Sequence, residues 1–254
     1  MIRVKNLWKK YNSHAVLKGL DLEVSRGETV VILGRSGVGK SVLLRQLIGI
    51  DKPDRGTIEI EGKLISSLTG SDLYLATRHM GMLFQASALF DSMNVFDNTA
   101  FYLNEHGDPE TGKKLPQKEV KARVKKALEM VGLADTQAIM PADLSGGMRK
   151  RAAIARLIVY HPRILLYDEP TTGLDPITSM QINELIVQIQ NELNATSIVV
   201  THDICSAFHV GNRIALHHDG KIAYITSKEE FPHINDPLVQ AFLKNAIPEV
   251  NQNS

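Results

Sequence analysis

Eight consecutive residues, Gly34, Arg35, Ser36, Gly37, Val38, Gly39, Lys40 and Ser41, follow the pattern G-x-x-x-x-G-K-[ST]. Glycines at this spacing let the backbone curl until successive N–H groups face one anion. A helix opening directly behind the loop adds about half a positive charge and unpaired amides at the same point. In such a loop Lys40 reaches the β- and γ-phosphates of a bound triphosphate, and the Ser41 hydroxyl holds Mg²⁺. The metal needs a carboxylate partner, and the run Ile164-Leu165-Leu166-Tyr167-Asp168-Glu169 supplies one where an apolar segment ends. Asp168 is expected to orient Mg²⁺ through water. Glu169, one residue on, is placed to polarise an attacking water as general base.

Those residues need a scaffold. Segments 28–33, 164–167, 197–201 and 214–217 are short, apolar and often β-branched, which suits strands buried on both faces of a parallel sheet. Val42, Leu43, Leu47 and Ile50 follow the first of these at helical spacing. Asp175-Pro176 reads as a helix N-cap with proline at the first helical position, and Ile182, Leu185, Ile186, Ile189 and Leu193 mark one face of that helix. Strands alternating with helices predict an α/β core. Segments 56–62 and 214–225, with Asp219-Gly220 at a tight turn, read as antiparallel hairpin material. From 86 to 160 no strand is predicted; Val120, Val124, Leu128 and Val131 form a helical stripe, and 104–117 reads as an exposed loop. The expected architecture is α/β: a P-loop NTPase core with a parallel sheet (about 1–85 and 160–231), an antiparallel β subdomain and an inserted α-helical subdomain (about 86–159). A tail from about 232 to 254 follows, with 248–254 expected to be flexible.

Composition narrows the partners. The 254 residues are 43% apolar and 22% charged, which argues for a folded chain. Lys and Arg number 29 against 28 Asp and Glu, and this balance lacks the basic footprint of a dedicated nucleic-acid binder. The single cysteine, Cys205, permits no intramolecular disulfide, which fits a reducing compartment. No apolar run approaches the roughly 20 residues that span a bilayer, and the N-terminus lacks a secretory signal. A cytoplasmic protein without a membrane span is expected. The histidines, His217-His218 among them, make no metal-ligand set with Cys205.

With the phosphate loop and the carboxylates placed, Leu144-Ser145-Gly146-Gly147-Met148 resembles the signature sequence of ATP-binding cassette (ABC) ATPases. The rest of that family's set stands in order: Gln85 at the Q-loop position, where it would meet the metal, Thr172-Gly173-Leu174-Asp175 as the D-loop, and His202 as the switch histidine. Tyr11 matches the upstream aromatic on which adenine stacks. The resemblance covers nearly the whole chain. It implies ATP and Mg²⁺ as cofactors, Glu169, His202 and Lys40 as catalytic residues, and Ser41, Gln85 and Asp168 around the metal. Ser145, Gly146 and Gly147 make a second anion-binding helix end, and in this family that end closes on ATP held by the other protomer. The resemblance thus implies an ATP-sandwich homodimer.

One cassette with no fused membrane domain implies a separate subunit docked on an integral-membrane permease, at the cytoplasmic face of the inner membrane. Segment 84–98 and Leu144–Arg156 are similar to ATPases of the Mce-type lipid-transport (Mla-like) branch, which implies an Mce-type lipid-binding subunit as a further partner. The catalytic motifs leave open a regulator of the cell-division type and an exporter or lipoprotein-release ATPase. In 84–103, Phe84, Leu89, Phe90, Phe96, Phe101 and Tyr102 are expected to form core, with some of them lining a groove for a permease helix.

Overall fold

The computed structural model describes residues 1–244, so the expectation for 248–254 lies outside the described residues. In chain order the strands and helices are β1 (Ile2–Tyr11), β2 (His14–Val24), β3 (Thr29–Leu33), α1 (Lys40–Leu47), β4 (Arg55–Ile60), β5 (Lys63–Leu64) and α2 (Gly70–Thr77). Then come β6 (Met80–Leu83), α3 (Val95–His106), α4 (Gln117–Met130), α5 (Gly146–Ile158), β7 (Ile164–Asp168) and α6 (Pro176–Leu193). The last are β8 (Thr196–Thr201), α7 (Ile204–Val210), β9 (Arg213–His218), β10 (Lys221–Ser227) and α8 (Pro237–Lys244). Two compact units divide the chain: Met1–Leu73 with the segment from Thr196 onward, and Tyr74–Ala195.

In the first unit β3 is the centre of a sheet ordered β10-β9-β3-β8. It pairs in parallel with β8 (Val31 opposite Val199) and with β9 (Val31 opposite Ile214). All five residues of β3 are buried, which is why Thr-Val-Val-Ile-Leu reads as an unbroken apolar run. The same unit carries an antiparallel sheet, β2-β1-β4-β5, in which Ile2 faces Val24 on one side and Ile60 on the other. Its first two strands carry no clean alternation, because a register shift between Val4 and Leu7 moves the inward residues from a period of two to Ile2, Val4, Leu7. The hairpin expected at 214–225 is present, with Asp219 and Gly220 both at positive φ.

Helix α1 ends at Leu47, so Ile50 lies past the helix and is 52% exposed rather than on the buried face. Three closely placed backbone hydrogen bonds to Arg45 and Gln46 turn the chain at 49–51 instead of continuing the helix.

In the second unit β6 and β7 pair in parallel, Met80 opposite Ile164 and Leu83 opposite Tyr167. Around them α3, α4 and α5 bury Val95, Leu103, Val120, Val124, Leu128 and Ile154. The loop expected at 104–117 begins only after His106. Its remainder is ordered by Asp108, which accepts from Glu110 N and Thr111 N and from Arg123 of α4 at 2.9 Å. Strand β6 went unread because Met-Gly-Met-Leu lacks β-branched residues. A Cβ on Gly81 would lie 2.2 Å from Leu157 Cδ1, so the glycine marks the close approach of α5.

Candidate functional site

The phosphate loop connects β3 to α1 inside the first unit. Gly39 is the N-cap of α1 at φ 105°, and a Cβ there would sit 2.5 Å from Val16 Cγ1. Only glycine satisfies both conditions. Lys40 is buried, and its ammonium donates to the carbonyl oxygens of Gly34 (2.8 Å) and Arg35 (2.9 Å), so the cation is held within the curve of the loop. Gly34 N donates to Thr201 O at the end of β8, which links the loop to the strand that delivers His202.

His202 stands in the turn between β8 and α7. Asp203 fixes that turn: its N–H donates to Thr201 Oγ1, and its carboxylate caps α7 by accepting from Cys205 N and Ser206 N. Arg35, Ser36 and His202 line one cavity of about 590 Å³, closed on another side by Leu238, Ala241 and Phe242 of α8. Tyr11 stands outside that cavity at the end of β1, 42% exposed, its hydroxyl donating to Asp51 Oδ2 at 2.8 Å. Burial and the Asp51 carboxylate hold its pKa above the usual phenol value.

The second unit gathers the other motifs. Asp168 ends β7 and is buried. Glu169, also buried, adopts the left-handed conformation at φ 47°, which costs an ordinary residue roughly 1–2 kcal/mol. The left-handed residue turns the chain directly after β7. Thr172 Oγ1 donates to Glu169 Oε2 at 3.1 Å and so orients the carboxylate. Ser145 caps α5, its hydroxyl accepting from Met148 N at 3.2 Å. Ser145, Gly146 and Gly147 share a cavity of about 420 Å³ with Gly173, Leu174 and Asp175, which brings signature and D-loop side by side. Gln85 is exposed, but its carbonyl oxygen accepts from the Lys150 ammonium.

Lys150 was not among the residues singled out from sequence. The signal was present: Lys150, Ala153, Ile154 and Leu157 share the buried face of α5 at helical spacing, and a cation in that series is out of place.

Known proteins match this chain in sequence and in fold. The sequence profile of the ABC transporter family covers residues 17–172. The chain belongs to the ABC transporter ATPases. It hydrolyses ATP, and in this family hydrolysis drives transport. Among curated relatives of this ABC ATPase, the intermembrane phospholipid transport system ATP-binding protein MlaF of Haemophilus influenzae is 38% identical over 96% of the chain and 90% of its own length. The probable ribonucleotide transport ATP-binding protein mkl of Mycobacterium leprae is 39% identical over 95% of the chain and 68% of its own length. Among solved structures, a dimeric ATP-binding cassette in a post-hydrolysis state with ADP and Pi superposes with a TM-score of 0.80 at 31% identity, over 90% of this chain and 99% of that one. The cbiO1 protein of Clostridium perfringens, part of the cbiONQ transporter complex, gives 0.80 at 31% identity over 97% and 98%. Among the described residues, no helix of this ABC ATPase is long and apolar enough to cross a membrane.

Proposed function

We propose that this ABC ATPase powers the movement of phospholipids or related lipids between bacterial envelope membranes through a separate permease. The observation that carries the reading is the match to MlaF along nearly the full length of both chains, whereas the relatives named for ribonucleotide transport extend well beyond it. The chain acts as an ATP-sandwich homodimer on the cytoplasmic face of the inner membrane, held there by integral permease subunits and working with an Mce-type lipid-binding subunit. A solved dimeric cassette with 31% identity supports the pairing.

In this reading the amides of 34–41 and the Lys40 ammonium bind the β- and γ-phosphates, and Tyr11 stacks on adenine. Ser145, Gly146 and Gly147 of the opposite copy present the open first turn of α5 to the γ-phosphate. The donors assigned to the metal are hard oxygens, a helix-start hydroxyl (Ser41), a buried strand-end carboxylate (Asp168) and the Gln85 amide oxygen, a set that fits Mg²⁺. Mg²⁺ bound there supplies charge neutralisation of the phosphates. Glu169, held by Thr172, takes the proton of the attacking water, and His202 contacts the γ-phosphate and helps to place that water.

Two experiments test the reading. Glu169→Gln lowers turnover by about two to four orders of magnitude and traps a closed dimer; near-normal turnover with the permease present refutes the general base. Gentle detergent purification from native membranes, followed by mass spectrometry, yields a permease and an Mce-type subunit carrying phospholipid. A division or regulatory complex without lipid retains the ATPase and removes lipid transport.

A further inference from the structure

Lys150 lies in the second turn of α5 and is 4% exposed. An ammonium is costly to bury, and it persists only where its donors and its charge are both met. Here its Nζ donates to the carbonyl oxygen of Gln85 in a short hydrogen bond and to that of Glu169 at 3.5 Å. Burial pulls its pKa below the usual lysine value, and the carboxylates of Asp168 and Glu169 oppose that shift. The turn it grips is unusual: Ser87 and Ala88 are successive non-glycine residues at positive φ. A second cation of the same helix, Arg156, donates to their carbonyl oxygens at 3.1 and 2.7 Å. Helix α5 therefore grips the turn after Gln85 by its main-chain oxygens, and the Gln85 side chain is exposed.

We propose that Lys150 is a positioning residue for ATP hydrolysis, a tether between the backbone of the Gln85 turn and the backbone of Glu169. Displacement of the turn is then passed through the main chain to the carboxylate assigned above as general base. The inference rests on that assignment of Glu169. A side chain that merely filled space at this point would need neither donors nor charge, and the aliphatic stem of methionine would serve.

The test compares Lys150→Met, which keeps the stem and removes the donors, with Lys150→Gln, which keeps an amide donor and removes the charge. Both are made in the full chain and read by ATPase kinetics and by amide hydrogen exchange over 84–93. Lys150→Met lowers kcat by about tenfold or more, leaves KM for ATP within about twofold, and speeds exchange in 84–93 by about tenfold or more. Lys150→Gln holds all three within about threefold of the parent. Unchanged kcat in the Met variant overturns the proposal, and so does a loss of kcat without faster exchange in 84–93. Equal losses in both variants with faster exchange throughout the chain identify a packing role and also overturn it. If Glu169→Gln turns over normally while Lys150→Met frees the turn and slows turnover, the tether stands and the base assignment falls.

Discussion

His217 on β9 is 1% exposed, and neither ring nitrogen meets a hydrogen-bond partner among the described residues. It lies directly beneath the phosphate loop: a Cβ on Gly34 would be 2.9 Å from His217 O and 3.4 Å from its Cβ. Burial pushes its pKa from an ordinary 6.5 down to about 4, with the nearby Lys40 and His218 adding to the shift. The folded state therefore keeps the imidazole neutral between pH 6.5 and 4, where the unfolded chain takes up a proton. More protons bound by the unfolded state means that stability falls as pH falls through that window. From pH 7.5 to 5.0 this one residue removes about 2 kcal/mol. His217→Leu fills a similar volume with nothing to protonate and leaves no nitrogen unpaired. At pH 7.5 the variant is expected to gain about 1–3 kcal/mol, the cost of unsatisfied buried polar atoms. At pH 5.0 the gain grows by a further 2 kcal/mol or so, which for a chain of this size widens the Tm difference by about 4–8 °C. Thermal melts of both proteins at the two pH values measure it. Parallel pH dependence in parent and variant would refute the reasoning, because the imidazole would then titrate alike in the folded and unfolded states.

Other substitutions probe the second unit. Gly81→Ala places a methyl 2.2 Å from Leu157 Cδ1 and 2.7 Å from the Tyr160 hydroxyl, and the overpacking is expected to cost about 1–3 kcal/mol in urea titrations; a neutral result would show that α5 yields freely. Asn98 is fully buried, accepts from Phe90 N at 2.8 Å and donates to the carbonyls of Phe90, Met93 and Asn94. Asn98→Ala strips those partners and should destabilise the protein by about 2–4 kcal/mol, against less than about 0.5 if water replaces the amide fully. Phe90 is 40% exposed, its ring 4.6 Å from that of Phe101 and under Arg156. Phe90→Asp is expected to abolish copurification of the permease while KM for ATP stays within about twofold; weakened nucleotide binding would make it a core residue instead.

How much of this was legible in advance depended on how local the signal was. The phosphate loop, the Asp175-Pro176 cap and the Ser145 cap are written in adjacent residues, and the structure builds each as read: Gly39 opens α1, Asp175 accepts from Thr178 N, and Ser145 accepts from Met148 N. The stripe Val120, Val124, Leu128 and Val131 is buried as its spacing required. Strands β1 and β2 escaped because a bulge disrupts their alternation, and β6 because its residues are chosen by α5 rather than by strand propensity. Ile50 was misplaced because a turn bonded to Arg45 ends the helix early, a competition that spacing alone does not reveal.

By itself the sequence determined the chemistry: which residues could cradle a triphosphate, which carboxylates could serve a metal and a water, and which family's order they follow. Tertiary structure decided how those residues are held. It put Glu169 in a left-handed turn against Thr172, buried Lys150 on two distant carbonyl oxygens, and set a histidine without a hydrogen-bond partner among the described residues beneath the phosphate loop. Motifs are short-range because phosphate recognition uses consecutive backbone amides. The supports are long-range, because a buried charge or imidazole takes its energy from whatever the fold brings against it.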